Sequence, residues 1–126
     1  MTTQLTNEAN ITEALQEYYF QGSYEGDLNK LKQIFHPTTR LFGDVKGQPY
    51  SKTLDEWLEV VANRESPKDS GKPFKGDILS IKVANSVAVA EVQVKAYDMV
   101  YHDFLSLHRM DGRWVIVSKI MSGVSQ

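Results

Sequence analysis

The chain of 126 residues contains no cysteine. That excludes a disulfide framework, a thiolate metal site and a cysteine nucleophile. No run approaches the length of a membrane span, and the polar N-terminus lacks a signal peptide's apolar region. The expectation is therefore a soluble, cytoplasmic protein. Charge of one sign is also lacking: 14 basic and 16 acidic residues are mixed along the chain, for a formal net charge of -2. No basic patch or charge block points to nucleic acid or an anionic membrane. There is no Gly-rich phosphate loop, no G-x-S-x-G elbow and no H-E-x-x-H. The three histidines, His36, His102 and His108, lack metal-ligand spacing, so neither a metal nor another cofactor is expected. The length suits one domain with a real core, over residues 1–126.

What is present reads as helices first and strands afterwards. A flexible tail over residues 1–6 leads to Thr6-Asn7-Glu8, which supplies an N-cap and an early acid. Ile11, Leu15, Tyr18 and Tyr19 follow at helical spacing, predicting a helix over 7–21 with Gly22 as its C-cap. Gly26-Asp27 makes a turn and a second N-cap, and Leu28, Leu31, Ile34 and Phe35 give a short second helix that His36-Pro37 ends. Thr39 to Phe42 reads as a short strand, followed by Gly43-Asp44 and Lys46-Gly47 as turns. Thr53-Leu54-Asp55-Glu56 is a capping box for a third helix carrying Trp57, Leu58 and Val61. Residues 65–76, rich in Ser, Pro, Gly, Lys and Asp, read as an exposed mobile loop. Strands are predicted at 78–83 and 87–97; the second has a small apolar face of Ala88, Ala90, Val92, Val94 and Ala96. Segregated helices and strands mean α+β, with the helices on one face of a curved antiparallel sheet.

The most informative stretch is the hairpin from Tyr101 to Ile120. Asp111-Gly112 suits a two-residue type I′ turn, since both central residues need positive φ. This predicts a register pairing Met110 with Arg113, Leu107 with Ile116 and Asp103 with Ile120. By alternation, one face carries Tyr101, Asp103, Leu105, Leu107, Trp114, Ile116, Ser118 and Ile120. The other carries His102, Phe104, Ser106, His108, Val115, Val117, Lys119 and Met121. The first face is apolar except for one carboxylate and one hydroxyl. The second mixes apolar and basic groups in the manner of a subunit contact.

In their order and spacing, Tyr18-Tyr19, Gly26-Asp27, Phe35-His36-Pro37, the capped Trp57 helix, Ala88-Val89-Ala90, Asp103 to Leu107 and Asp111 to Val117 resemble the nuclear transport factor 2-like superfamily. Within it the chain is most similar to the putative lumazine-binding family, near the polyketide cyclase-like and ketosteroid isomerase-like branches. The resemblance implies a cone-shaped, strongly curved antiparallel sheet wrapped around three N-terminal helices, a cystatin-like α+β barrel with a pocket at its wide end. It also implies a homodimer through the outer sheet face, here His102, Phe104, His108, Val115, Val117 and Lys119. In register with the isomerase branch, Asp103 falls near the acid that donates to an oxyanion and Tyr19 near its tyrosine partner. The carboxylate base of that branch has no counterpart in register, Asp44 being offset by one residue.

Asp103, buried among apolar neighbours, is the leading candidate for a general acid, base or oxyanion donor; structural hydrogen bonding is the alternative. Tyr19 and His36 are further catalytic candidates, His36 competing with a role as a helix C-terminal histidine. Tyr18, Phe35, Trp57, Tyr101, Leu105, Trp114 and Ser118 are the candidate lining of an apolar pocket for a small apolar or aromatic ligand. Three functions follow: a small-molecule-binding domain; an isomerase, dehydratase or cyclase that works by proton transfer; and a dimeric protein-interaction module.

Overall fold

A computed structural model describes residues 3–126, with side chains from Thr6 onward. Helix α1 (Thr3–Ala14) passes through a π-helical stretch (Leu15–Phe20) into α2 (Gln21–Glu25) without leaving helical backbone angles. The helix thus already covers Thr3 to Thr6, part of the expected tail; Met1 and Thr2 lie outside the described residues. It also ends later than expected. Gly26, at φ 68°, is the left-handed cap, while Gly22 is buried against Leu31. Asp27 then caps α3 (Leu28–Ile34) by accepting from the amides of Asn29 and Lys30. The capping box of Thr53 and Glu56 opens α4 (Leu54–Asn63) as expected. Within 65–76, the chain makes a short helix α5 (Pro67–Ser70), capped by a buried Ser66, before the third strand begins.

Six strands, β1 (Phe35–Val45), β2 (Gln48–Thr53), β3 (Lys75–Ala84), β4 (Val87–Ala96), β5 (Met99–Met110) and β6 (Arg113–Ser125), form one sheet in the order β2-β1-β6-β5-β4-β3. Neighbours are antiparallel except β1 and β6, which run parallel. Gly43 and Asp44 lie inside β1 rather than in a turn. A Cβ at Gly43 would sit 1.7 Å from the Met121 carbonyl oxygen, so this close crossing of β1 over β6 requires glycine. The strand β2 has no apolar alternation to announce it. It is the partner that Lys46-Gly47 folds back onto β1.

The core lies between the helices and the concave face of the sheet. Ile11, Leu15, Tyr19, Leu31, Ile34, Trp57, Leu58 and Val61 meet Ala88, Ala90, Val92, Leu105, Leu107 and Ile116. The small side chains of β4 let the helical layer approach, as their alternation predicts. Asp111 and Gly112 both have positive φ, and a second such turn at Tyr97-Asp98 joins β4 to β5.

The β5–β6 hairpin departs from the simple register at one residue. Leu107 pairs with Ile116 as predicted, but Ser106 pairs with Ser118, leaving Val117 as a bulge. Every later residue of β6 therefore changes face. Asp103 pairs with Met121 instead of Ile120. Lys119 and Met121 turn inward, and Ile120 turns out with 56% of its surface exposed. The Thr39 hydroxyl, itself buried, donates at 2.8 Å to the Ile116 carbonyl beside the bulge and lies 2.7 Å from the His36 carbonyl. Replacing Thr39 by Val removes this donor from a buried carbonyl. The expected cost is about 1–3 kcal/mol of folding free energy, read from urea denaturation; an unchanged midpoint would show that Thr39 does not support the bulge.

Candidate functional site

Asp103 is 1% exposed, on the concave face of β5. The Tyr19 hydroxyl, from the π-helical stretch, donates to its Oδ2 at 2.7 Å. The Lys119 ammonium, brought in by the bulge, lies 3.9 Å from the same oxygen, beyond hydrogen-bond distance. Its Nζ sits 4.7 Å from the centroid of the Trp57 ring and 5.2 Å from that of Tyr19. Asp103 Oδ1 is buried and takes no hydrogen bond from the described residues. Such an orphaned carboxylate oxygen is uncommon and needs a partner.

These three groups form one wall of a cavity of about 160 Å³. Val94, Ala96 and Met121 add apolar wall, and Tyr50, Val60, Arg64, Tyr97 and Tyr101 continue it toward partly exposed surface. That volume is close to one that holds a benzene ring. The site thus suits a compact ligand, or the compact end of a longer one. Arg64 caps the C-terminus of α4, stacked 5.0 Å over the Tyr97 ring, with its Nε buried and without a partner among the described residues.

Burial dominates the electrostatics. It lifts the Tyr19 hydroxyl well above the ordinary 10.0, and the neighbouring Asp103 charge pushes the same way. It holds the Lys119 ammonium below the ordinary 10.5, and Arg64 adds to this; Asp103 opposes it, but at 3.9 Å does not offset the desolvation. Tyr101 and Tyr50 are raised by burial as well.

Of the residues singled out from the sequence, the fold brings Asp103, Tyr19, Trp57 and Tyr101 to this cavity. The others go elsewhere. His36 lies across the core from it, with Nδ1 2.8 Å from the Thr38 hydroxyl, beside a separate depression floored by Phe35, Leu54 and Leu58. Phe35 packs between the Tyr19 and Trp57 rings as core, and Leu105 is core. Tyr18 and Trp114 line an outer groove on the far side of the first helix. Ser118, expected inside, is turned to the convex face by the bulge. Asp44 is exposed and does not line the cavity. Lys119, expected on the convex face, is 5% exposed and points inward, while Val115 is buried in the depression beside Phe35. Sequence reasoning missed Lys119 and Arg64. A signal existed for each: Ser118-Lys119 places two polar residues in succession in an apolar strand, so one of them has to face in. Trp57, Val61 and Arg64 share one helical face.

The sequence profile of the putative lumazine-binding family matches residues 6–122. The chain belongs to that family. Its fold is that of the nuclear transport factor 2-like superfamily. One such protein of unknown function, from Silicibacter pomeroyi, superposes with a TM-score of 0.86 at 23% identity, covering 97% of this chain and 99% of that one. Another, from Shewanella baltica, gives 0.85 at 24% identity with both chains fully covered. A cystatin-like fold protein from Burkholderia xenovorans gives 0.69 at 15% identity, covering 94% and 92%. Among curated proteins, the aldolase FrzH of Cladobotryum sp. is 26% identical over 102 residues, 81% of this chain and 80% of its own.

The buried lysine carries a pH signature. The unfolded chain keeps a proton on Lys119 up to about 10.5, and the native chain gives it up sooner. Between those two values the unfolded state binds more protons, so stability rises with pH. Tyr19 acts oppositely, but only above about 10.0. The stability of the native protein relative to Lys119→Met is therefore expected to increase between pH 7 and about pH 9.5. Urea denaturation of both proteins at the two pH values measures it. A flat or falling difference would show that the ammonium is not buried at a cost.

Proposed function

We propose that this family member binds a small, compact carbonyl compound in the Tyr19–Asp103–Lys119 cavity and acts on it by proton transfer. One observation carries the reading: a fully buried carboxylate lines an apolar cavity with one oxygen held by a tyrosine and the other unpartnered among the described residues. A carboxyl group so placed can take a proton from carbon α to a carbonyl, or donate to the oxyanion that forms. The similarity to an aldolase favours this chemistry, since aldol reactions begin with that proton transfer. Isomerisation, dehydration and cyclisation share the same first step. The volume favours compact substrates over steroid-sized ones.

A thermal-shift screen of compact aromatic and alicyclic ketones, with pterin-, flavin- and steroid-like compounds beside them, tests binding. Stabilisation by the compact carbonyls is expected; no shift with any compound would refute the binding role. Cyclohexanone in D2O then provides a reaction readout by NMR. The protein is expected to accelerate exchange at the α-carbon, and Asp103→Asn to cut that acceleration by roughly 10²–10⁴. Equal exchange by both proteins would remove Asp103 from the chemistry.

We further propose that the protein works in the cytoplasm as a homodimer through the convex sheet face. Phe42, Ile120 and Phe104 stand in one row across β1, β6 and β5, exposed by 48%, 56% and 45%. Val87 and Val89 extend the apolar surface along β4. His102, held 2.6 Å from Glu91, together with His108 and Val117, belongs to the same face. Such a continuous apolar patch favours burial against a copy of itself. Sedimentation is expected to show a dimer, and Phe104→Asp combined with Ile120→Asp a folded monomer. A monomeric native protein would refute it.

A further inference from the structure

We propose that Lys119 is an imine-forming amine, whose Nζ captures the carbonyl carbon of a small aldehyde or ketone bound in the cavity. The proposal rests on the carbonyl-binding reading above and names the group that bonds to the substrate.

Geometry separates this lysine from the other nine. Each of those is exposed or half-exposed, whereas Lys119 is buried and lines a cavity. A lysine serving only as counter-ion would close on its carboxylate. Here Nζ stops 3.9 Å from Asp103 Oδ2, while that oxygen is taken at 2.7 Å by Tyr19. Nζ instead stands over the faces of Trp57 and Tyr19, where a flat carbonyl compound in the cavity meets it. The charged and titratable groups that line the cavity with it are Asp103 and Tyr101 from β5, Tyr19 from the first helix, Tyr50 from β2, Tyr97 from the turn between β4 and β5, and Arg64 at the C-terminal cap of α4. Burial and Arg64 both favour the free amine, the form that attacks carbon, over the ammonium.

The step balances without any co-reactant. The Lys119 ammonium first passes one proton to the Asp103 carboxylate. The neutral amine adds to the carbonyl carbon, and that proton moves on to the carbonyl oxygen, giving a carbinolamine whose nitrogen still carries a surplus proton. The nitrogen's surplus proton passes through the Asp103–Tyr19 pair to the departing hydroxyl, which leaves as water. The cationic imine that remains lies beside the Asp103 carboxylate. Loss of an α-proton to that carboxylate gives an enamine, a carbon nucleophile. Return of the proton and addition of water release the carbonyl compound and restore the amine.

Reductive trapping on the full chain tests this. The protein is incubated at pH 7 with benzaldehyde or cyclohexanone and sodium cyanoborohydride, and modified lysines are mapped by peptide mass spectrometry. Lys119 is expected to be labelled at least about tenfold faster than the average surface lysine, since a carbonyl compound held in the cavity meets its amine at a raised effective concentration. Lys119→Arg, which keeps the charge but forms no stable imine, is expected to lose the fast phase. Labelling of Lys119 no faster than the surface lysines would overturn the proposal. Trp fluorescence quenching by the same two probes without reductant distinguishes the causes. Quenching without selective labelling sinks imine formation and leaves the binding reading intact; absence of both sinks the two together. The decisive labelling is read on the native protein, so a variant that fails to fold does not obscure it.

Discussion

An aspartate and a lysine are withdrawn from water into one cavity, and much of the structure is arranged so that neither is there alone. Taking a single charge out of water costs several kcal/mol, and its partner recovers part of that only when the two lie close. Asp103 and Lys119 sit on neighbouring strands, but simple alternation along the hairpin would put them on opposite faces. The bulge at Val117 resolves this by giving β6 one extra residue. It disturbs the ladder there, and the buried hydroxyl of Thr39 supplies a donor for the Ile116 carbonyl. A polar side chain on β1 thus supports the geometry of a charged pair on β5 and β6.

The pair is close without being saturated, and that incompleteness gives it chemical use. Asp103 spends one oxygen on Tyr19 and leaves the other without a donor among the described residues. Lys119 is near enough for attraction but makes no hydrogen bond to the carboxylate. Rigid elements hold all three groups: two strands, and a helix whose π-helical stretch carries Tyr19. Such stretches are frequent at functional sites. Phe35 packs against the Tyr19 ring and is backed in turn by Trp57. A preorganised, water-poor wall of this kind strengthens every electrostatic contact a ligand makes with it.

The same one-residue slip shapes the opposite surface. By turning Lys119 inward it turns Ile120 outward, into line with Phe42 and Phe104. The inward Lys119 of the cavity and the outward Ile120 of the convex patch are therefore two consequences of a single irregularity. A change at Val117 would be felt on both faces of the sheet at once.

Much of this was legible in local sequence. Caps at Asp27 and at Thr53 with Glu56, the Asp111-Gly112 turn, the small face of β4 and the inward placement of Asp103 all rest on contacts within a few residues or on strict alternation, whereas Tyr19 as the partner of Asp103, 84 residues away, was implied only by the resemblance to a known family. The strand β2, the parallel pairing of β1 with β6, the inward Lys119 and the cavity-lining Arg64 were not legible. Each depends on which partner a distant segment finds. Alternation says which residues share a face only while the ladder is unbroken; whether it breaks depends on how a backbone carbonyl such as that of Ile116 is satisfied. That is decided by Thr39, 77 residues away. The sequence by itself determined an α+β cone with a lone acid inside. Tertiary structure alone decided that the acid has a lysine for company.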